Sequence, residues 1–125
     1  MPHTQTHYDV IIVGAGPAGY ISAIRCAQLG LKTVCIDNGH NKKGQRSLGG
    51  AHLNAGCIAT IALLESSKIY HLLTHAINEH GIFADNITLD IRQAVARKDQ
   101  IIETFENKIT ELFIHHGIEY IHAKA

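Results

Sequence analysis

With 125 residues the chain has room for one domain, and a chain of this length buries roughly two thirds of its unfolded surface. Eleven Lys and Arg balance eleven Asp and Glu, so no net field draws it to nucleic acid or to an anionic membrane. No apolar run is long enough to span a bilayer, and the polar opening MPHTQTHYD leads straight into the first apolar run with no room for a signal peptide, which points to a cytoplasmic location.

The run Val10 to Val13 is short and unbroken, which suits a strand buried on both faces. Gly14, Gly16 and Gly19 follow at G-x-G-x-x-G spacing. The first permits a tight turn, the second lets a ligand's phosphates approach the backbone, and the third lets the next helix pack close against the strand. That helix is expected from Pro17 to Leu29, stopping at Gly30. Its free N–H groups and positive dipole end face the glycine turn, a ready site for a pyrophosphate. Lys32 to Ile36 reads as a second strand ending in Asp37, 23 residues beyond Gly14, where an acid can accept hydrogen bonds from ribose hydroxyls. A glycine triplet alone also serves purely structural turns. Strand, triplet, helix, strand and terminal acid in this order point to an adenine-dinucleotide site.

Asn38 to Ser47, NGHNKKGQRS, is polar and aperiodic and reads as a surface loop. From Ile58 the positions Ile58, Ile61, Ala62, Ile69, Leu72, Leu73, Ala76 and Ile77 keep the spacing of a long helix with one buried face, with Gly81 as its stop. Ile82 to Leu89 connects it to a second long amphipathic helix, capped by Asp90 with Gln93 placed for a capping box, and ended at Gly117. Its mixed charges read as a solvated face. Ile118 to Ile121 is consistent with a third parallel strand. Cys26, Cys35 and Cys57 have neither the even count of a disulfide framework nor zinc-site spacing, and Cys26 and Cys35 read as small buried thiols. The ten histidines are scattered, without a ligand spacing, and read as mostly solvated; no metal site is assigned.

The segments VIIVGAGPAGYISAIRCAQLGLKT and LGGAHLNAGCIATIALL together resemble the N-terminal part of the FAD-dependent pyridine nucleotide-disulfide oxidoreductases, in their dihydrolipoamide dehydrogenase branch. The branch pattern is roughly L-G-G-T-C-L-N-x-G-C-I-P-S-K-A-L-L. This chain keeps Leu48, Gly49, Gly50, Leu53, Asn54, Gly56, Cys57, Ile58, Ala62, Leu63 and Leu64. Ser66-Ser67 and LFIHHGIEYI extend the likeness, which runs from Tyr8 onward.

The resemblance implies an α/β fold: a partial Rossmann-like FAD-binding domain, three parallel strands with long helices, over residues 1–125. It implies FAD contacts at Gly14, Gly16, Pro17, Ala18, Gly19, Asp37, Asn38, Gly49, Gly50 and Ala51, with Ala125 against the adenine. Departures fall on the chemistry. The family's redox disulfide joins two cysteines five positions apart; here the first is His52 and only Cys57 remains, so disulfide turnover is expected to be lost. Cys57 matches the cysteine that lies against the flavin. Ile61 stands where the family carries a lysine near the reactive flavin nitrogen, and Ala59, Thr60 and Ala123 replace a proline, a serine and a glycine. The family's NAD domain and dimerisation domain are absent from this chain. A strand order of 3-2-1 would leave the first strand at an open edge, able to pair with a complementary chain or with a second copy. The readings are therefore an FAD-binding fragment with little or no catalysis alone, a partner-dependent or split-gene piece, or a decayed product without a role.

Overall fold

The computed structural model describes residues 6–125; the first five residues of the polar opening lie outside it. Three parallel strands, β1 (Val10–Val13), β2 (Thr33–Asp37) and β3 (Glu119–His122), lie in the order β1-β2-β3. Helix α1 (Pro17–Gln28) connects the first pair. The return from β2 to β3 runs through a short helix α2 (Gly50–Asn54), the longer α3 (Cys57–His71) and α4 (Ile91–His115). The fold is the α/β, Rossmann-like arrangement expected, with β1 at an open edge.

Register sets Ile12, Cys35 and Tyr120 side by side on one face. The other face carries Ile11, Val34 and Glu119, then Val13, Ile36 and Ile121. The core forms on the first face, where Ala23 of α1 and Ile102, Ile109 and Phe113 of α4 close over Cys35, with Ile12 and Tyr120 at its margin. Burying each large side chain of this kind contributes roughly 1.5–3 kcal/mol. The opposite face is bare: Ile11 is 60% and Val13 68% exposed. This corrects the expectation that β1 is buried on both faces. Strand order advances in one direction, and two right-handed crossovers in one direction put both returning helices on the same side. On the bare face only Val34 is fully covered, at the level where Tyr8 reaches across to hydrogen-bond Glu119.

α1 ends one residue before the expected Leu29, with Gly30 at φ +84° as the left-handed stop. The helix expected from Ile58 to Ile77 starts at Cys57, and past His71 it widens into a π-helical turn, Leu72–Ala76, and a 3₁₀ turn, Ile77–His80, before Gly81 at φ +71°. Its apolar face is not buried as expected: Ala62 is buried, while Ile61 and Ile69 are more than half exposed. α3 packs along α4 on one side, where Arg97 donates to the Ala62 carbonyl at 3.2 Å and pairs with Glu65 at 2.7 Å, and nothing in the described residues covers the rest. Asp90 caps α4 by accepting from Arg92 N and Gln93 N at 2.8 and 3.1 Å, a cap that contributes about 1 kcal/mol. No return bond from the Gln93 side chain forms among the described residues, so the cap is one-sided.

The buried thiol and phenol of the core have a pH consequence. Burial, helped by the Asp37 charge, pushes the Cys35 thiol up from 9.0 to about 11, and burial pushes the Tyr120 hydroxyl up from 10.0 to about 12. Above pH 9 the unfolded chain therefore gives up the Cys35 proton while the folded chain keeps it. The contribution of these two groups should be flat below pH 9 and fall by about 1.4 kcal/mol per pH unit for Cys35 across pH 9–11, with Tyr120 extending the loss toward 12. Urea midpoints measured at neutral pH and through this window check it, and a Cys35→Ala chain should begin its decline about a unit later.

Candidate functional site

The carboxyl ends of the strands carry the glycine turn. Gly14, at φ +97°, donates its N–H to the Ile36 carbonyl at 2.7 Å and so ties the turn to β2. Gly16 caps α1 with no side-chain partner, and Pro17 begins the helix with φ already set. The amides of Ala18 and Gly19 in that first turn have no side-chain cap, which leaves an electropositive helix end beside an open backbone. A methyl group on Gly16 would meet nothing within 4 Å; one on Gly19 would sit 1.7 Å from the Gly14 carbonyl oxygen. The two glycines thus serve different needs, open space at Gly16 and helix-to-turn contact at Gly19.

Asp37 ends β2 at the mouth of this turn. Its Oδ1 accepts from Ala15 N at 3.1 Å and its Oδ2 from Gly39 N at 2.8 Å. Its carbonyl accepts from Ala123 N at 3.0 Å, which brings the stretch from Ala123 to Ala125 beside it. Asn38 is exposed next to it. Gly49 N donates to the Ala15 carbonyl at 2.9 Å, and a methyl on Gly50 would lie 2.9 Å from Gly16 Cα. The glycine turn, Asp37, the Gly49-Gly50 segment and the end of β3 therefore lie side by side.

Asn54 was missed as a residue that builds this surface. Its Nδ2 lies 2.9 Å from Ser47 Oγ, 3.3 Å from the Leu48 carbonyl and 3.1 Å from the Gly50 carbonyl, while its Oδ1 is buried without a partner among the described residues. This network buries Ser47 and Leu48, correcting the reading of Asn38 to Ser47 as wholly surface loop. No period or run of polarity in the sequence marks it. The loop is also pinned from the far side. Lys98, 4% exposed, and Lys42 both reach Asp99, and that hydrogen bond holds Lys98 above and Asp99 below their ordinary ranges. A polar cavity of about 340 Å³ lies there between Lys42, Arg46, Asn54 and Glu103, apart from the glycine turn.

α2 and the start of α3 carry the other expected residues. A methyl on Gly56 would touch the Ala51 carbonyl at 2.9 Å and His52 Cα at 3.4 Å, so only glycine lets the chain double back and bring His52 beside the head of α3. Cys57 is the first residue of that helix, exposed, as is His52. Ile61, one turn further, is 61% exposed. Cys35 is buried as expected and Cys26 only half-buried.

A glycine turn, a strand-end acid and a cysteine at the head of a following helix thus stand at the carboxyl end of a Rossmann-like sheet. Residues 8–125 match the family model described as pyridine nucleotide-disulphide oxidoreductase, and the chain belongs to that family. It is similar to mitochondrial dihydrolipoyl dehydrogenase of Pisum sativum, 41% identical over 90% of this chain and 21% of that protein. Dihydrolipoyl dehydrogenase of Cupriavidus necator is 41% identical over 85% of the chain and 23% of its own length. The chain thus spans about a fifth of the length of these relatives. Among solved structures, a copper(II) complex of the HOCl-induced flavoprotein disulfide reductase RclA of Escherichia coli shares the fold with a TM-score of 0.68 at 22% identity, over 94% of this chain and 22% of that one. No helix among the described residues is long and apolar enough to cross a membrane.

Proposed function

We propose that this chain is an FAD-binding piece of the dihydrolipoyl dehydrogenase type that holds the dinucleotide end of the cofactor and does not turn over a disulfide by itself. The observation that carries the reading is Asp37, which organises the amides of Ala15 and Gly39 at the mouth of a glycine turn whose helix end is uncapped. The pyrophosphate would lie on the N-terminus of α1 over Gly14, Gly16, Pro17, Ala18 and Gly19. A ribose would meet Asp37 and Asn38, the adenine the backbone at Ala125, and Gly49, Gly50 and Ala51 would close the far side. The open space at Gly16 fits this group.

Bound FAD supplies a two-electron acceptor; what this chain adds beyond binding is limited by its own side chains. Closing or opening a disulfide needs a second sulfur, and His52 has none to give. Cys57 can present a single exposed thiol at the head of α3. Ile61 offers no charge to the ring. The NAD site and the substrate are matters for residues outside this chain.

The test is the visible spectrum of the purified chain with and without added FAD, beside Cys57→Ser. Bound flavin with a long-wavelength shoulder lost in the variant is the expected result. Absence of bound flavin sinks the reading and leaves the glycine turn as a remnant without a role. A second reading, a piece that needs a complementary chain or a second copy, is favoured by the bare face at Ile11 and Val13 on an edge strand. A monodisperse monomer by light scattering at high concentration counts against it. Cell fractionation decides between the cytoplasmic setting expected from the sequence and the mitochondrial one named for the pea relative.

A further inference from the structure

Far from the glycine turn, α3 loosens into the π-helical turn Leu72–Ala76. Such a turn inserts an extra residue into the helical ladder, and these bulges recur at functional positions. It carries Thr74 and His75, one turn beyond His71. The Thr74 hydroxyl is 2.8 Å from the Tyr70 carbonyl and 3.3 Å from that of His71, so its proton is directed at carbonyl oxygens. Its oxygen is then left as an acceptor toward His75 Nδ1, 2.7 Å away. The same nitrogen is 3.2 Å from the His71 carbonyl, which has only lone pairs to offer. Both partners require the proton on Nδ1. In its neutral form His75 therefore has a bare lone pair on Nε2.

The His71 ring stacks on this one, with centroids 4.5 Å apart and planes 18° apart, and both residues are exposed.

We propose that His71 and His75 form a two-histidine clamp for a borderline divalent transition-metal ion of the Ni²⁺, Cu²⁺ and Zn²⁺ class, with water completing the coordination. Imidazole nitrogens bind such an ion at about 2.0–2.1 Å, so the two ring edges must tilt together by roughly 1 Å to share it. Exposed rings make that adjustment without disturbing the core. A ring N–H held by a backbone carbonyl and a hydroxyl is the outer arrangement that orients a metal-binding histidine and raises its basicity. The spacing alone did not distinguish these two from the other histidines. The hydrogen bonds on Nδ1 do.

The test is calorimetric titration of the full chain with Ni²⁺ alone, which avoids the preference of softer ions for the exposed Cys57 thiol. His71→Gln, His75→Gln and Thr74→Val are compared with the original chain. His115→Gln is the control; its ring meets His116 edge-on at 4.9 Å, but adjacent residues do not share a helix face. One equivalent of Ni²⁺ is expected. Losing either ligand should weaken it at least as much as losing an orienting partner does, ~10–100-fold, Thr74→Val by a smaller factor, and His115→Gln not at all. Unchanged affinity in either ligand variant, or several weak equivalents shared among the histidines, overturns the clamp. Should a variant lose helical circular dichroism, imidazole NMR of the original chain decides instead: the His71 and His75 signals must be the first that Ni²⁺ broadens.

Discussion

Gly19→Ala should cost the fold more than about 3 kcal/mol, beyond what overpacking of a yielding site costs. The added methyl would stand 1.7 Å from the Gly14 carbonyl oxygen and 2.8 Å from its carbon, both backbone atoms. Neither can rotate away. The Gly14 amide is held by Ile36, and α1 is held over the sheet by fully buried Ala23, so relief requires the helix and the turn to separate by more than an ångström. Each residue between them would lose its register against β1 and β2. Gly16→Ala is the matched control. Gly16 has an ordinary negative φ of −69° and its added methyl meets nothing within 4 Å, so the gain of about 0.4–1 kcal/mol through the unfolded state is offset by alanine's poorer fit at an N-cap, and stability should change little. That methyl would occupy the space proposed for the pyrophosphate. Thermal unfolding and FAD titration of both variants should therefore separate: Gly19→Ala loses fold and binding together, Gly16→Ala binding alone. A Gly16→Ala chain that keeps its flavin affinity would refute the proposed cofactor path while leaving the fold argument untouched.

The contrast between these glycines also marks what was legible in the sequence. Strand, turn and α1 could be read because steric demands on glycine act within a few residues, and Gly14 at φ +97° is where the spacing put it. The same holds for Asp90, whose carboxylate bonds amides two and three residues on. α3 reads differently. Ile58, Ile61 and Ile69 keep a helical period, yet only Ile58 reaches the core while Ile61 and Ile69 are more than half exposed, because periodicity records that a partner surface is required and not whether this chain supplies it. The same reasoning covers β1, whose unbroken apolar run asks for cover on both sides while both crossovers lie on one. The Asn54 network was illegible for another reason. Bonds from one amide to Ser47 Oγ and the carbonyls of Leu48 and Gly50 have no period, and nothing in the polarity of Asn38 to Ser47 signals that its end is buried. The sequence reading put Asp37 on the ribose; it did not foresee that both carboxylate oxygens already hold the backbone together.

That second role makes Asp37 the more informative substitution. Asp37→Ala removes the acceptor of two backbone amides, Ala15 N and Gly39 N, in a part-buried setting. Hydrogen bonds to a charged group contribute about 1.5–3 kcal/mol each, and with partial replacement by water the net loss should be about 3 kcal/mol, or roughly 10 °C in the unfolding midpoint. Asp37→Asn is the sharper test. It keeps the shape and one acceptor, but turns the other oxygen into a donor facing an N–H, so one of the two amides must lose its partner. Stability should fall by roughly 1–3 kcal/mol, with the Gly39 or the Ala15 amide becoming fast in hydrogen exchange. Asp37→Glu keeps the charge one methylene further out, where it can still meet a ribose but not both amides at their present 3.1 and 2.8 Å. If Asp37 acts only on the cofactor, the glutamate chain should match the original in urea and bind FAD nearly as well. If it first builds the turn that receives the pyrophosphate, Asp37→Glu should lose stability and flavin affinity in proportion, and raising FAD should restore stability and occupancy of the site, because a ligand that binds only the folded chain stabilises it by mass action.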